Sequence, residues 1–185
     1  MLDWLVAEFS DPRNAVAQCI GFIPLILSFF TFLSAKRRRI FAVKTATDML
    51  WALHFFLLGE YVGGAINAVN TVRNVVFSQK GKKKWASHTA VFVLFCILIA
   101  AAALIRWKDW YSILPMLGSL LAATGFWCSS PRNIRKFNLP ALSLWLIYGI
   151  IVGSISTVLC NLLSLTSLFI AEIKDRKDKK APDNL

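Results

Sequence analysis

From Ala90 to Ile105 the chain has no charged, amide or hydroxyl side chain. A helix built from that run is apolar on every face, which a small soluble domain has no core large enough to hide. It is one of seven apolar runs, at about 15–35, 42–59, 62–78, 88–106, 111–129, 138–153 and 155–173. With 57% of its 185 residues hydrophobic, 17% charged and a mean hydropathy of +0.58, the chain must use lipid as its solvent. The bilayer is thus the first partner the composition implies. A spanning helix needs roughly 20 residues, so helices 1, 4, 5 and 7 are long enough. Helices 2, 3 and 6 are short, and their ends are expected to reach into flanking polar residues. Merging the pairs around Gly59 and Gly153 would bury Glu60 at mid-bilayer, at a cost of a few kcal/mol.

The basic residues test the count. With the N-terminus outside, eighteen of the twenty-one Lys and Arg fall on the inner side, in clusters such as Lys36–Arg39, Lys82–Lys84, Arg132–Lys136 and Lys174–Lys180. Only Arg13, Arg106 and Lys108 fall outside. This is the bias that orients inner-membrane helices, and it accounts for the net charge of +11 without nucleic acid. The start, MLDWLVAEFSDPRN, lacks the pattern of a cleaved signal and is expected to be a short outer lead-in. The end, KDRKDKKAPDNL, is expected to be a disordered cytoplasmic tail.

The chain also repeats itself. A shift of 94 positions, without a gap, pairs Phe32 with Phe126, Arg38 with Arg132, Ile40 with Ile134, Leu50 with Leu144, Trp51 with Trp145, Gly59 with Gly153 and Asn67 with Asn161. The predicted fold is therefore an all-α integral membrane protein. Its seven transmembrane helices form two parallel three-helix repeats joined by a linker helix, with a site between the halves. The segments are a lead-in (1–14), a first repeat (15–79), a basic loop with helix 4 (80–110), a second repeat (111–173) and a charged tail (174–185).

Polar residues inside the spans nominate the site. Asn67, Asn70 and Asn74 share one face of helix 3, and helix 7 carries Thr157, Asn161, Ser164 and Ser167. Interhelical glue is the plain reading of such amides, yet Asn67 and Asn161 each follow a mid-span Trp by sixteen residues. An amide donates and accepts at once, and a Trp face can stack on a ring. Trp51, His54, Asn67, Asn70, Trp145, Tyr148, Asn161 and Ser164 are the substrate-binding candidates. His54 reads as a structural donor, a substrate ligand or a proton carrier. Lys44 and Asp48 stand at i, i+4, and Arg73 is expected to snorkel inward or pair with Asp48; these three are the candidate gate. Pro24 and Pro115 are bending points, Pro140 opens helix 6, and Gly21 and Gly118 permit close helix contact. No metal or cofactor is expected: Cys19, Cys96, Cys128 and Cys160 lie far apart in apolar runs. No nucleophile–base pair or carboxylate dyad suggests an enzyme.

IGFIPLILSFFTF, a basic loop, and then HFFLLGEYVGGAINAVNTVRN resemble the bacterial YgjV-type inner-membrane proteins over about Gln18 to Ile173. The duplicated unit also resembles the SWEET, SemiSWEET and PQ-loop transporter architecture, although no Pro-Gln dipeptide occurs. That second resemblance implies helices ordered 1-3-2 in each copy, alternating access between the halves, and a pocket lined by Trp51, Asn67, Trp145 and Asn161. Together these features point to a small polar solute transporter or facilitator of the cytoplasmic membrane, N-terminus outside and C-terminus inside. The alternative is a membrane receptor or scaffold whose inner basic loops bind lipid or a partner.

Overall fold

Each apolar run forms one α-helix in the computed structural model, which describes residues 11–31, 37–105, 107–128 and 130–180. They are α1 (Pro12–Thr31), α2 (Arg37–Leu57), α3 (Tyr61–Ser78), α4 (Thr89–Ile105), α5 (Ile113–Trp127), α6 (Pro131–Ile151) and α7 (Ile155–Lys180). One-turn 3-10 helices at Trp85–Ser87 and Trp110–Ser112 lead into α4 and α5. No strand occurs among the described residues.

As expected, α2 and α6 start in the basic segments ahead of their apolar runs. Each reaches 21 residues, or about 32 Å, a full bilayer core. Pro131 takes the first turn of α6, where a missing N–H costs nothing. Pro140 consequently lies inside α6 instead of opening it. The tail expectation also needs correction, because α7 continues beyond Ile173 to Lys180. No Gly or Pro interrupts the chain there before Pro182, and its Lys and Arg are good helix formers.

The helices close a ring. α1 packs on α2, α2 on α3, α3 on α5, α5 on α6, α6 on α7, and α7 returns to α1. α4 stands outside, against α3 and α5, and buries only Phe95, Ile99 and Ala103. A shift of 94 residues carries α1, α2 and α3 onto α5, α6 and α7, and each ring contact onto another ring contact. The order within each triplet is 1-2-3 and not 1-3-2, since both α1 and α3 pack on α2. The three residues 58–60 join α2 to α3 and hold these consecutive helices side by side.

Polarity is inverted relative to a soluble protein. Gln18, Asp48, His54, Asn67, Asn70, Arg73, Asn74 and Asn161 are buried, while Ile26, Met49, Leu104, Ile105 and Ile150 are exposed. A lipid-facing surface and a polar interior explain both. Among the described residues, Arg38–Leu57 is the one helix long and apolar enough to cross a bilayer by length and composition alone, with Thr89–Ile105 and Ile155–Ala171 apolar but shorter.

The two hairpin turns are built alike. After α2, the Glu60 N–H reaches Phe55 O (2.9 Å) and the Gly59 N–H reaches Phe56 O (3.2 Å). After α6, the Ser154 N–H reaches Gly149 O (2.9 Å) and the Gly153 N–H reaches Ile150 O (3.4 Å). Both are Schellman-type closures, with Gly59 at φ 76° and Gly153 at φ 70°. Any residue with a Cβ is strained in that left-handed conformation. Gly59→Ala and Gly153→Ala should therefore each lower stability by about 1–2 kcal/mol, read as earlier unfolding of the purified protein in detergent. Unchanged unfolding in both would show that neither turn depends on a left-handed glycine.

Candidate functional site

The ring encloses a cavity of about 50 Å³, room for a few waters. Every ring helix contributes to its wall and α4 does not: Ser28 from α1; Lys44, Asp48, Trp51 and Phe55 from α2; Asn67, Asn70 and Arg73 from α3; Ser119 and Ala122 from α5; Asn138, Ala141, Leu142 and Trp145 from α6; and Thr157, Cys160, Asn161 and Ser164 from α7. Six pairs related by the 94-residue shift lie in this wall: Ser28/Ala122, Lys44/Asn138, Asp48/Leu142, Trp51/Trp145, Asn67/Asn161 and Asn70/Ser164. The cavity therefore lies between the two triplets.

At one end the wall is aromatic. Phe55, absent from the sequence-derived candidates, lies between the two indoles, with centroids 6.0 Å from Trp51 and 5.8 Å from Trp145. Trp145 in turn rests on Gly118, where a Cβ would meet its ring at 2.9 Å, so the expected close contact at that glycine is made. Asn67 and Asn161 behave alike. Each donates Nδ2–H to the carbonyl four residues earlier, Gly63 O at 2.8 Å and Thr157 O at 2.9 Å, and among the described residues no donor reaches its Oδ1. A solute hydroxyl or ammonium is what such an oxygen accepts.

At the other end the wall is charged, and all the charge comes from the first triplet. Lys44 Nζ donates to Asp48 Oδ1 at 2.6 Å, and Asn74 Nδ2 donates to Asp48 Oδ2 at 2.8 Å. The Oδ1 of the same amide accepts from Arg73 Nη2 at 2.9 Å and from Nε at 3.3 Å. Arg73 Nη1 donates to Asn70 Oδ1 (2.7 Å) and Ser119 O (3.3 Å), while Asn70 Nδ2 donates to Ser119 Oγ (3.0 Å). The guanidinium also lies over the Phe126 ring at 5.4 Å. Arg73 is 0% exposed, so it does not snorkel, and it meets Asp48 only through Asn74. Enough neutral acceptors from α3 and α5 converge on it to hold it inside.

Of the sequence-derived candidates, Trp51, Asn67, Asn70, Trp145, Asn161, Ser164, Lys44, Asp48 and Arg73 all meet in this one wall. His54 and Tyr148 do not, and their assignment to substrate is corrected. His54 Nδ1 donates to Ala17 O at 2.7 Å, and Nε2 lies 2.8 Å from Ser154 Oγ. Both ring nitrogens are thus used in tying α2 to α1 and to the α6–α7 turn. Tyr148 OH donates to Glu60 Oε2 (3.3 Å) in the α2–α3 turn, and Glu60 Oε1 accepts from Lys108 Nζ (3.1 Å). The Glu60 carboxylate so bonded holds the Lys108 ammonium above the ordinary lysine range. The two contacts mirror each other: His54 and Tyr148 are related by the 94-residue shift, and so are Glu60 and Ser154.

Sequence reasoning also missed Ser28, Ser119, Ala122, Asn138, Ala141, Leu142 and Cys160 in the wall. Asn138 was within reach, because it is the 94-residue partner of Lys44. The charge relay gives a stability prediction. Asn74→Ala strands one Asp48 oxygen and half of the Arg73 fork, and should cost about 2–4 kcal/mol. Asn67→Ala loses a bond within one helix and should cost about 1 kcal/mol. Unfolding of the two variants in detergent measures the difference; equal losses would remove Asn74 from its bridging role.

A family model described as a bacterial inner membrane protein, Imp-YgjV, matches residues 15–179. Inner membrane protein YgjV of Escherichia coli (strain K12) is 24% identical to this chain over 140 residues, which cover 76% of this chain and 73% of that protein. No solved structure matches. With a polar-cored helical ring, an apolar outer surface and a family match over nearly its whole length, the chain belongs to the YgjV family of bacterial inner membrane proteins.

Proposed function

We propose that the protein carries or facilitates the movement of a small polar solute across the bacterial inner membrane. The solute binds in the cavity between α1–α3 and α5–α7, and the two triplets rock against each other to expose it to either side. The observation that carries this reading is the cavity's position. Its wall is drawn from all six ring helices and from both members of six shift-related pairs, and it gathers charged, amide and hydroxyl side chains inside a protein whose outside is apolar. A polar cavity within a bilayer is where a membrane protein meets a water-soluble ligand. Duplication of the triplet, with α4 as the linker that lets both copies point the same way, fits the ring order. The orientation proposed has the Gly59 and Gly153 turns outside and the basic connections inside.

The test is uptake into proteoliposomes offered a mixed pool of small metabolites. Wild-type protein should accumulate at least one solute, and Asn67→Ala combined with Asn161→Ala should abolish that uptake while the variant still folds. Full uptake by the double variant would place the pathway elsewhere, and no uptake of any solute would favour a receptor or scaffold. For orientation, a cysteine-reactive reagent that cannot cross membranes should label Tyr61→Cys from outside intact spheroplasts and Lys83→Cys only after lysis, in a background with the native cysteines removed. The reverse pattern would invert the topology.

A further inference from the structure

We propose that the solute is a small monovalent organic acid whose carboxylate binds Arg73; this rests on reading the central cavity as the solute site. Three charged side chains line the cavity, Lys44, Asp48 and Arg73, giving a net charge of +1. The Lys44–Asp48 pair at 2.6 Å is internally neutral, so the surplus belongs to Arg73. That guanidinium is fully buried, yet among the described residues no carboxylate lies within ion-pair distance of it. Its contacts are amide and backbone oxygens: Asn74 Oδ1 for Nε and Nη2, and Asn70 Oδ1 with Ser119 O for Nη1. A guanidinium has five N–H groups, and these four bonds leave one on Nη2. A cation removed from water without a counter-charge is costly, and a carboxylate is the partner whose geometry suits it.

The rest of the wall narrows the class. The Oδ1 atoms of Asn67 and Asn161 take no hydrogen bond from the described residues and suit a hydroxyl on the acid. The aromatic end at Trp51, Phe55 and Trp145 suits a carbon body. A volume of about 50 Å³ limits the occupant of this conformation to a few heavy atoms. A net charge of +1 favours an anion over a zwitterion or a neutral molecule, and a monovalent anion over a phosphate.

The experiment compares lactate, alanine and lactamide, which share a skeleton and differ in charge. Each is titrated against the purified full chain in detergent, with sodium chloride added to equal ionic strength, and thermal unfolding is followed. Lactate should raise the midpoint saturably, whereas alanine and lactamide should not. Arg73→Gln should abolish the lactate shift and Arg73→Lys should retain part of it. Asp48→Asn, which removes the one negative charge and keeps the shape, should tighten lactate binding about tenfold. Should Arg73→Gln fail to fold, Asp48→Asn decides alone, and binding no tighter than wild type overturns the proposal. Equal stabilisation by alanine or lactamide overturns it, as does the absence of a saturable shift with lactate, pyruvate and acetate alike. Arg73-dependent lactate binding without flux in proteoliposomes would leave this inference standing and sink the transport reading. Uptake of a neutral solute through the asparagine pair, with no acid bound, would do the opposite.

Discussion

A fully buried guanidinium with no carboxylate beside it among the described residues is the constraint on which the interior depends. Arg73 is held inside the ring by Asn70 and Asn74, which α3 supplies one turn apart, and by the Ser119 carbonyl of α5. Those same contacts join the first triplet to the second, so the solvation of one charge and the closure of the ring at α3 and α5 are one requirement. At the opposite seam, α7 meets α1 through Gln18 Oε1, which accepts from Ser156 Oγ at 3.1 Å, beside Gly21, where a Cβ would meet Ser156 and His54. One seam is sealed by charge solvation, the other by small residues and a neutral amide.

The two triplets follow the same plan with bulk exchanged between them. On the first hairpin, Phe55 packs against Gly63; at the shifted positions on the second, Gly149 faces Thr157. The large residue sits on the second helix of one triplet and the small one on the second helix of the other, so the hairpins close similarly with different contents. Charge is distributed just as unevenly. Lys44, Asp48 and Arg73 correspond to Asn138, Leu142 and Ser167. The common backbone plan keeps the cavity between the triplets, and the unequal side chains give it a polarity from one end to the other.

Much of this was legible in the sequence because its two strongest signals are local. Apolar runs of helical length fix where helices form, and the 94-residue register fixes which helices correspond. Trp51, Trp145, Asn67 and Asn161 were found that way and share one wall. Ser119 was not, since its counterpart Leu25 is apolar and a repeat comparison is silent where the copies have diverged. Phe55 was hidden likewise by Gly149. His54 was misplaced for another reason: its acceptor at Ala17 and its neighbour at Ser154 lie 37 and 100 residues away, and no pattern local to α2 reveals them. The 1-3-2 order failed because it came by analogy, whereas the short links between α1, α2 and α3 already favoured adjacency.

The crossed contacts at the end of the hairpin turns have a mechanical consequence. His54 with Ser154, and Tyr148 with Glu60, each tie the second helix of one triplet to the hairpin turn of the other. Tied at that end twice, in mirrored fashion, the triplets have a fulcrum there. Motion that spares both ties must spread the opposite end, where the basic connections and the Phe41–Phe126 ring pair at 5.3 Å lie. Separation at the hairpin-turn end instead requires both ties to break together. The cost of parting the triplets is therefore unequal at the two ends of the ring, which is hinged where the turns meet.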